Sequence, residues 1–507
     1  MIRTGAAYRE SIRDDREVFV NGERLRDVAS HPMFRPLVDI RARIYDMAHD
    51  PATRHLMSVT RNGAPQAIGN ALPFTQADWW AKRRAADAVM ADVGGVVTRV
   101  GDETVGEMWS LHDCAETLAA IDPQFAPNIR AHIDRVLQAD PFHVSANTDP
   151  KGDRSLPPDA QDPDMRLHVV RETDAGLVLR GAKFETAAAY ANQAFTKPTI
   201  ANWGDATHSP YAVGFICDLS APGLKFICRT GFAGRAPAED YPLSNRFDEV
   251  DTLVIFDDVL VPWENVLFYR HTQAAMCLRA TLHRYTAFAF VQRLQMQADL
   301  MLGAALFNLR QTGLDGLQSV QEKLAQLAVW REGINAHLTA AITLAERSPG
   351  GLMMPNQSLL YAGRVLACSQ LPAMMQISRE LCGGQIGLTP DAASFRHPET
   401  GPWLQKYYTV NAEWQAEDRR KLLAFARDLL NSDHAGHRLS FHTFAQSPPF
   451  THLAAVYRNF DWAGPLEMVR DAAGMSDRVM GVRTLTPADS DLSKWFATET
   501  PPAMAAS

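Results

Sequence analysis

Sixteen histidines and six cysteines are the residues of this 507-residue chain whose types could bind a metal or carry redox chemistry. Their spacing argues against both. Cys114, Cys217, Cys228, Cys277, Cys368 and Cys382 form no C-x-x-C pair. That predicts free, mostly buried thiols in a reducing cytoplasm, with no structural zinc and no disulfide framework. His434, His437 and His442 make the densest histidine group. Short histidine spacings are unspecific, so the group reads as a solvated helix face near a loop, and no metal ligand is assigned. The chain has no G-x-G-x-x-G fingerprint, no P-loop, no H-E-x-x-H and no G-x-S-x-G elbow. It therefore shows no nicotinamide site of its own.

The bulk properties narrow the class further. Net charge is −8, with acidic and basic residues mixed throughout. A nucleic-acid partner would need a clustered basic face. No apolar run approaches the roughly 20 residues of a membrane span. The opening MIRTGAAYRESIRDDREV lacks the apolar core of a secretory signal. A hydrophobic content of 46% over this length predicts two or three packed units.

The elements that must position any site fall into three segments. Residues 1–140 read as mainly helical, with a short strand and a turn at Asn21–Gly22. Thr75 to Asp78 reads as a capping box, with Asp in place of the usual Glu, and Gly94–Gly95 closes the helix it starts. Residues 141–270 read as a β domain, its short strands at regular spacing suggesting a barrel or sandwich. LHVVRETDAGLVLRGAKFET is a strand pair about an Asp-Ala-Gly turn. At 253–256 and 259–261 two apolar runs flank Asp257–Asp258 and read as two strands, stopped at Pro262 because proline has no N–H to donate. Residues 271–507 read as a helical bundle. Val291, Leu294, Ala298, Met301, Leu302, Ala305 and Leu309 form one helical stripe, and Leu324, Leu327, Ala328, Ile334, Leu338 and Ile342 a second.

Several strings in this layout resemble one family. RDDREVFVNGERLRDVASHPMF, IYDMAHDP, ETDAGLVLRGAK, QEKLAQLAVWREGINAHLTAA and LCGGQIGLTP agree with it, and PLSNRFDEVDTLVIFDDVLVPWENVLFYR is the most specific match. The resemblance is to the 4-hydroxyphenylacetate 3-monooxygenase oxygenase component and runs from about residue 8 to about 475. It implies an α+β, acyl-CoA-dehydrogenase-like fold with an N-terminal helical domain, a central β-barrel domain and a C-terminal helical bundle. It also implies the chemistry. A separate NAD(P)H:flavin reductase supplies FADH2, directly or by diffusion. The reduced flavin captures O2 as a hydroperoxide, and a hydroxyl passes to a small phenol, usually ortho to its own OH. The cofactor carries the hard step while the protein orients and shields it. A homotetramer or dimer is implied, with the flavin site spanning subunits.

The resemblance also assigns residues. Arg99 in VVTRVGDE stands at a flavin and substrate contact, where a guanidinium suits an oxyanion or the flavin carbonyls. The family's Tyr four residues on is Glu103 here, a candidate general base or a recogniser of a cationic or amide-bearing substrate. His143 matches the active-site histidine that takes the phenol proton, with Asn147 four residues later on the cofactor side. In GAKFETAAAYANQ the family's flavin-facing Thr aligns with Ala187, so the adjacent Thr186 is the flavin contact, and Tyr190 is either a substrate contact or a core-packing residue. Gly383, Gly384 and Gly387 would let backbone approach the FAD of a neighbouring subunit, or would serve as an ordinary helix C-cap.

Three other readings remain. 4-Hydroxybutyryl-CoA dehydratase resembles the same strings, but its iron–sulfur cysteine pair would fall at Arg99 and Glu103, and His271 with Cys277 supplies only two ligands. A flavin-dependent oxidase or hydroxylase of a non-phenolic intermediate is the second. A non-enzymatic binding module is the third, disfavoured by length.

Overall fold

The computed structural model describes residues 2–97, 102–153, 155–198, 206–272, 274–445 and 449–475. Helices, strands and helices follow in the order expected. The first segment holds α1 (Gly5–Ser11), β1 (Glu17–Val20), β2 (Glu23–Leu25), α2 (Arg35–Met47), α3 (Arg54–Met57), β3 (Ser58–Arg61), β4 (Ala64–Ala67), α4 (Gln76–Val93), α5 (Asp102–Ile121) and α6 (Phe125–Ala139). The middle holds β5 (His143–Ser145), β6 (His168–Thr173), β7 (Gly176–Thr186), β8 (Gln193–Thr196), β9 (Val213–Asp218), β10 (Leu224–Cys228), β11 (Asp251–Pro262) and β12 (Val266–Tyr269). The last segment begins with the 39-residue α7 (Ala274–Thr312), then α8 (Gln318–Thr343), α9 (Gln357–Cys382), α10 (Gln385–Leu388), α11 (Ala392–Arg396) and α12 (Gly401–Tyr408). It closes with α13 (Ala416–Asn431), α14 (Asp433–Phe444), α15 (Pro449–Asn459) and α16 (Ala463–Ala472).

Local signals place many of these ends. The Thr75 side chain accepts from the Asp78 amide at 3.2 Å and Asp78 accepts from the Thr75 amide at 2.9 Å, so Asp completes the box that starts α4. Gly94, at φ 71°, ends it. Asn21 and Gly22, at φ 52° and 81°, turn β1 into β2 with both central residues left-handed.

The β module is two sheets, ordered β2-β1-β10-β11-β7-β6 and β12-β9-β8-β5. β1 joins the larger sheet parallel to β10, so residues of the N-terminal segment complete the central module. β11 differs from expectation. It is one 12-residue strand, not two. The register shifts between Phe256 and Val259, and Asp258 sits at φ 55°. A bulge absorbs the acidic pair and turns it outward, where Lys225 and Arg180 meet it.

The helical segments share one core. On α7 the stripe Val291, Leu294, Ala298, Met301, Ala305 and Leu309 is buried. Trp79 of α4, Trp109 of α5, and Tyr285 and Phe288 of α7 pack at centroid distances of 5.1–6.3 Å. All four are fully buried. The six cysteines are free and buried, as the spacing predicts. Among the described residues no helix is long and apolar enough to cross a membrane.

Candidate active site

His143 opens β5, which runs parallel to β8 with His143 opposite Gln193. It is buried, at 4% exposure. The Gln193 amide nitrogen donates to His143 Nδ1 at 2.8 Å, so a neutral imidazole carries its proton on Nε2. Behind it lies His132 of α6, ring to ring at 5.7 Å. Burial, then the neighbouring His143, pushes His132 far below the usual histidine range, so it stays neutral.

Four residues along, Asn147 is spent on protein partners. Its Nδ2 donates to Glu107 of α5 at 2.5 Å, and its Oδ1 accepts from the Lys197 amide at 3.1 Å. His143 and Asn147 thus come together along one edge strand, tied to the two ends of β8.

Thr186 and Tyr190 lie elsewhere. Thr186 ends β7 in the other sheet and donates to Asp251 at 3.1 Å. Asp251 also accepts from Arg229 Nε at 2.9 Å and His437 Nε2 at 2.8 Å. Burial would raise this carboxyl, but the bonds from His437 and Arg229 and the Arg229 charge outweigh it and hold the pKa at about 2. Tyr190 packs in the core against Phe34 and Phe142, and its carbonyl accepts from Tyr8 Oη at 2.8 Å. Beside it a cavity of about 40 Å³ is lined by Arg41, Phe142, Ala187, Tyr190, Glu249 and Arg438, among others. That volume holds a few waters, not an aromatic ring. A roomier groove of about 600 Å³ lies between α7 and α13, lined by Phe307 and Trp414, and includes none of the residues picked out from the sequence.

Gly383 caps α9 at φ 74°, Gly384 is the N-cap of the short α10 and Gly387 lies within it. A Cβ at any of the three would meet nothing within 4 Å, so backbone here is open to approach. Arg99 lies outside the described residues, and Glu103 falls in the first turn of α5, its side chain likewise outside them.

The histidine group corrects the reading as a solvated face. His434 and His442 are 5% and 1% exposed. α14 lays them against the β module, where His434 donates to the Phe247 carbonyl at 3.3 Å and Arg438 pairs with buried Glu249 at 2.6 Å. Burial, then Arg438, lowers His434 to about 3. His442 lies well below the usual value, from burial and then Arg438, Arg293 and Arg364.

Sequence reasoning missed Glu107, Lys183, Glu249 and Asp251. Strand alternation could have signalled Lys183 and Glu185, two charged residues on the inward face of an apolar strand.

Comparison with known proteins finds similarity along nearly the whole chain. The model of the 4-hydroxyphenylacetate 3-hydroxylase N-terminal region matches residues 4–268, and that of its C-terminal region residues 273–474. A Streptomyces globisporus monooxygenase of (3S)-3-amino-3-(3-chloro-4-hydroxyphenyl)propanoyl-[peptidyl-carrier protein] is 30% identical, over 97% of this chain and 92% of its own. The oxygenase component of 4-nitrophenol 2-monooxygenase from Rhodococcus is 31% identical, over 85% of this chain and 84% of its own. The crystal structure of the 4-hydroxyphenylacetate 3-monooxygenase oxygenase component with FAD and 4-hydroxyphenylacetate superposes with a TM-score of 0.86 at 28% identity, over 93% of this chain and 98% of that one. The superposition covers nearly the whole helical, β and helical layout, an α+β fold shared with that oxygenase component. The chain belongs to the 4-hydroxyphenylacetate 3-hydroxylase family, the oxygenase components of two-component flavin-dependent aromatic monooxygenases.

Proposed function

We propose that this chain uses FADH2 and O2 to hydroxylate a para-substituted phenol ortho to its OH. The observation that carries the reading is His143, buried at the family's position with Nδ1 occupied and its proton on Nε2. The relatives' names share a regiochemistry: position 3 of a 4-hydroxyphenyl group and position 2 of 4-nitrophenol are both ortho to the hydroxyl.

The residues present fit a flavin. On the outward face of the larger sheet Phe19, Ile227, Leu253 and Phe184 form one cross-strand row, with Ile227 47% and Phe184 43% exposed. Thr186 and Asp251 form the next outward row. A flat apolar row with a hydroxyl beside it suits one face of a planar ring, and Gly383, Gly384 and Gly387 suit close backbone contact. Reduced flavin, when bound, supplies the activated oxygen. The protein's part is to bind and orient the phenol through Arg99, to exclude water, and to hold the ionised phenol with a hydrogen bond donated from His143 Nε2–H to its oxygen; with Nδ1 spent on Gln193, His143 acts as this donor and not as the base. Deprotonation makes the carbon ortho to the phenolate more nucleophilic. A separate flavin reductase supplies FADH2. Assembly into a homotetramer is supported by exposed apolar side chains on α12, α15 and α16, among them Trp403 at 61%, Phe450 at 71% and Met468 at 73%.

An amine-bearing phenol is a second reading, favoured by Glu103 where the family has Tyr and by the amino group of the carrier-tethered relative's substrate. A carboxylate there pairs with an ammonium. The dehydratase reading lacks thiolates at positions 99 and 103, and the solved dehydratase, at 22% identity, shares the fold alone.

The test is a panel of para-substituted phenols with FADH2 from an independent reductase. One oxygen atom added ortho to the OH supports the reading. Oxidised FAD bound tightly, with substrate dehydrogenated and no oxygen inserted, overturns it. Glu103→Tyr should lower kcat/KM for amine-bearing phenols about tenfold relative to carboxylate-bearing ones, the loss of one charged hydrogen bond. An unchanged ratio removes Glu103 from specificity.

A further inference from the structure

Along β7, side chains alternate between the sheet's two faces. Ala182, Phe184 and Thr186 lie on one, and Lys183 and Glu185 lie buried on the other. Lys183 is 2% exposed. A lysine is among the residues least often fully buried, and its ammonium must find partners. Lys183 finds two. Its Nζ donates to the Asp149 carboxylate, and to the Lys197 carbonyl at 3.0 Å. The Lys197 amide donates in turn to Asn147 Oδ1 at 3.1 Å, and Asn147 Nδ2 reaches buried Glu107 of α5 at 2.5 Å. Between these contacts the Phe184 amide donates to the Thr148 carbonyl at 2.7 Å.

Lys197 is therefore gripped at both of its main-chain polar groups, by side chains from β7 and from the end of the β5 segment. The segment from Asn147 to Asp149 is held at each of its three residues. At the other end of the same strand pair, Gln193 holds His143. Four stretches far apart in sequence meet here: α5, the β5 segment, β7 and the end of β8.

We propose that Lys183 is a positioning residue for the hydroxylation, the keystone of a brace that fixes β5, and His143 on it, against α5 and β8. The inference rests on the reading that places the reaction at His143. Stability alone does not account for Lys183, because a buried ion pair is commonly matched or bettered by apolar packing of the same volume. An ammonium has three donors, so one group serves both a carboxylate and a carbonyl, which no apolar side chain does.

The test uses the full chain, first without flavin. Amide hydrogen exchange is followed by mass spectrometry on the peptide that carries Lys197. Lys183→Met should speed exchange of that amide about tenfold, while Lys183→Arg keeps its protection. Product formed per FADH2 is then measured with 4-hydroxyphenylacetate, or the best phenol of the panel. It should fall about threefold to tenfold in Lys183→Met, with hydrogen peroxide making up the difference, and recover in Lys183→Arg. Lys183→Met with Asp149→Asn removes the charge left behind and so restores folding should the single variant be unstable; it should stay uncoupled. Wild-type protection at Lys197 in Lys183→Met, or wild-type coupling in the double variant, overturns the proposal. If His143→Ala uncouples the reaction while the Lys183 variants do not, the brace alone has failed. If neither uncouples, the placement of the reaction at His143 has failed, and the brace with it.

Discussion

Between α5 and α7 the protein packs aromatic carbon; between β7 and β5 it packs charge. Trp79, Trp109, Tyr285 and Phe288 bury their rings in edge-on, tilted and stacked contacts, and the lone polar atom on three of them finds one partner each: Trp79 Nε1 the Met353 carbonyl at 2.8 Å, Trp109 Nε1 the Asn70 carbonyl at 3.3 Å and Tyr285 Oη the Asp113 carboxylate at 2.7 Å. Across the β seam, Lys183, Asp149, Asn147 and Glu107 bury groups that are tolerable only when each donor meets its acceptor. The first arrangement yields stability and tolerates small shifts. The second adds little stability and enforces geometry. The histidine proposed to act on substrate is held by the second kind, at the end of the same strand pair.

The comparison is tested first where the effect is largest. Trp109→Ala should cost about 3–5 kcal/mol of stability, read from the chemical denaturation midpoint. The product per FADH2 of the remaining folded protein should be unchanged, and a selective loss of coupling would erase the contrast. His143→Ala should do the reverse. Hydroxylated product should fall about a hundredfold, with peroxide released instead and the thermal midpoint nearly kept. Unchanged coupling removes His143 from the chemistry.

Acid sharpens the comparison further. His132, His434 and His442 are held neutral by burial, so their folded pKa values lie below the ordinary one. The unfolded chain binds the extra protons, so stability is full above about pH 6.5 and falls as pH drops below it, by about 1.4 kcal/mol per pH unit for each histidine. Among the described residues neither ring nitrogen of His442 meets a hydrogen-bond partner. His442→Leu should flatten that slope by one histidine's share in urea melts between about pH 7 and 5. An unaltered slope would mean that His442 is protonated in the fold. The smallest effect belongs to Asp251. Its depressed pKa, about 2, contributes stability above the unfolded value near 4 that is lost as pH falls through about 2. Asp251→Asn should remove this acid step, worth less than about 1 kcal/mol at a site open to solvent.

How far the sequence carries depends on the reach of each signal. The capping box at Thr75 and Asp78, the Asn21–Gly22 turn and the α7 stripe all work within a few residues, and each forms as expected. Asp257–Asp258 misled because a bulge is decided by the partner strands, not by the acids themselves. The histidines of α14 misled because their burial depends on a β module nearly two hundred residues earlier. Within GAKFET the alternation marks Lys183 as a charge on the inward face but says nothing of what it bonds, since its partners Lys197 and Asp149 are 14 and 34 residues away.

By itself, then, the sequence determined periodicity, turns, the absence of nucleotide and metal motifs, and the strings that place the chain in its family. Those are properties of neighbours along the chain. Only the tertiary structure decided which charges are buried and which oxygen each donor meets. A buried ammonium or imidazole is acceptable only if the fold brings an acceptor to it or leaves it uncharged, and that depends on segments the local sequence does not contain.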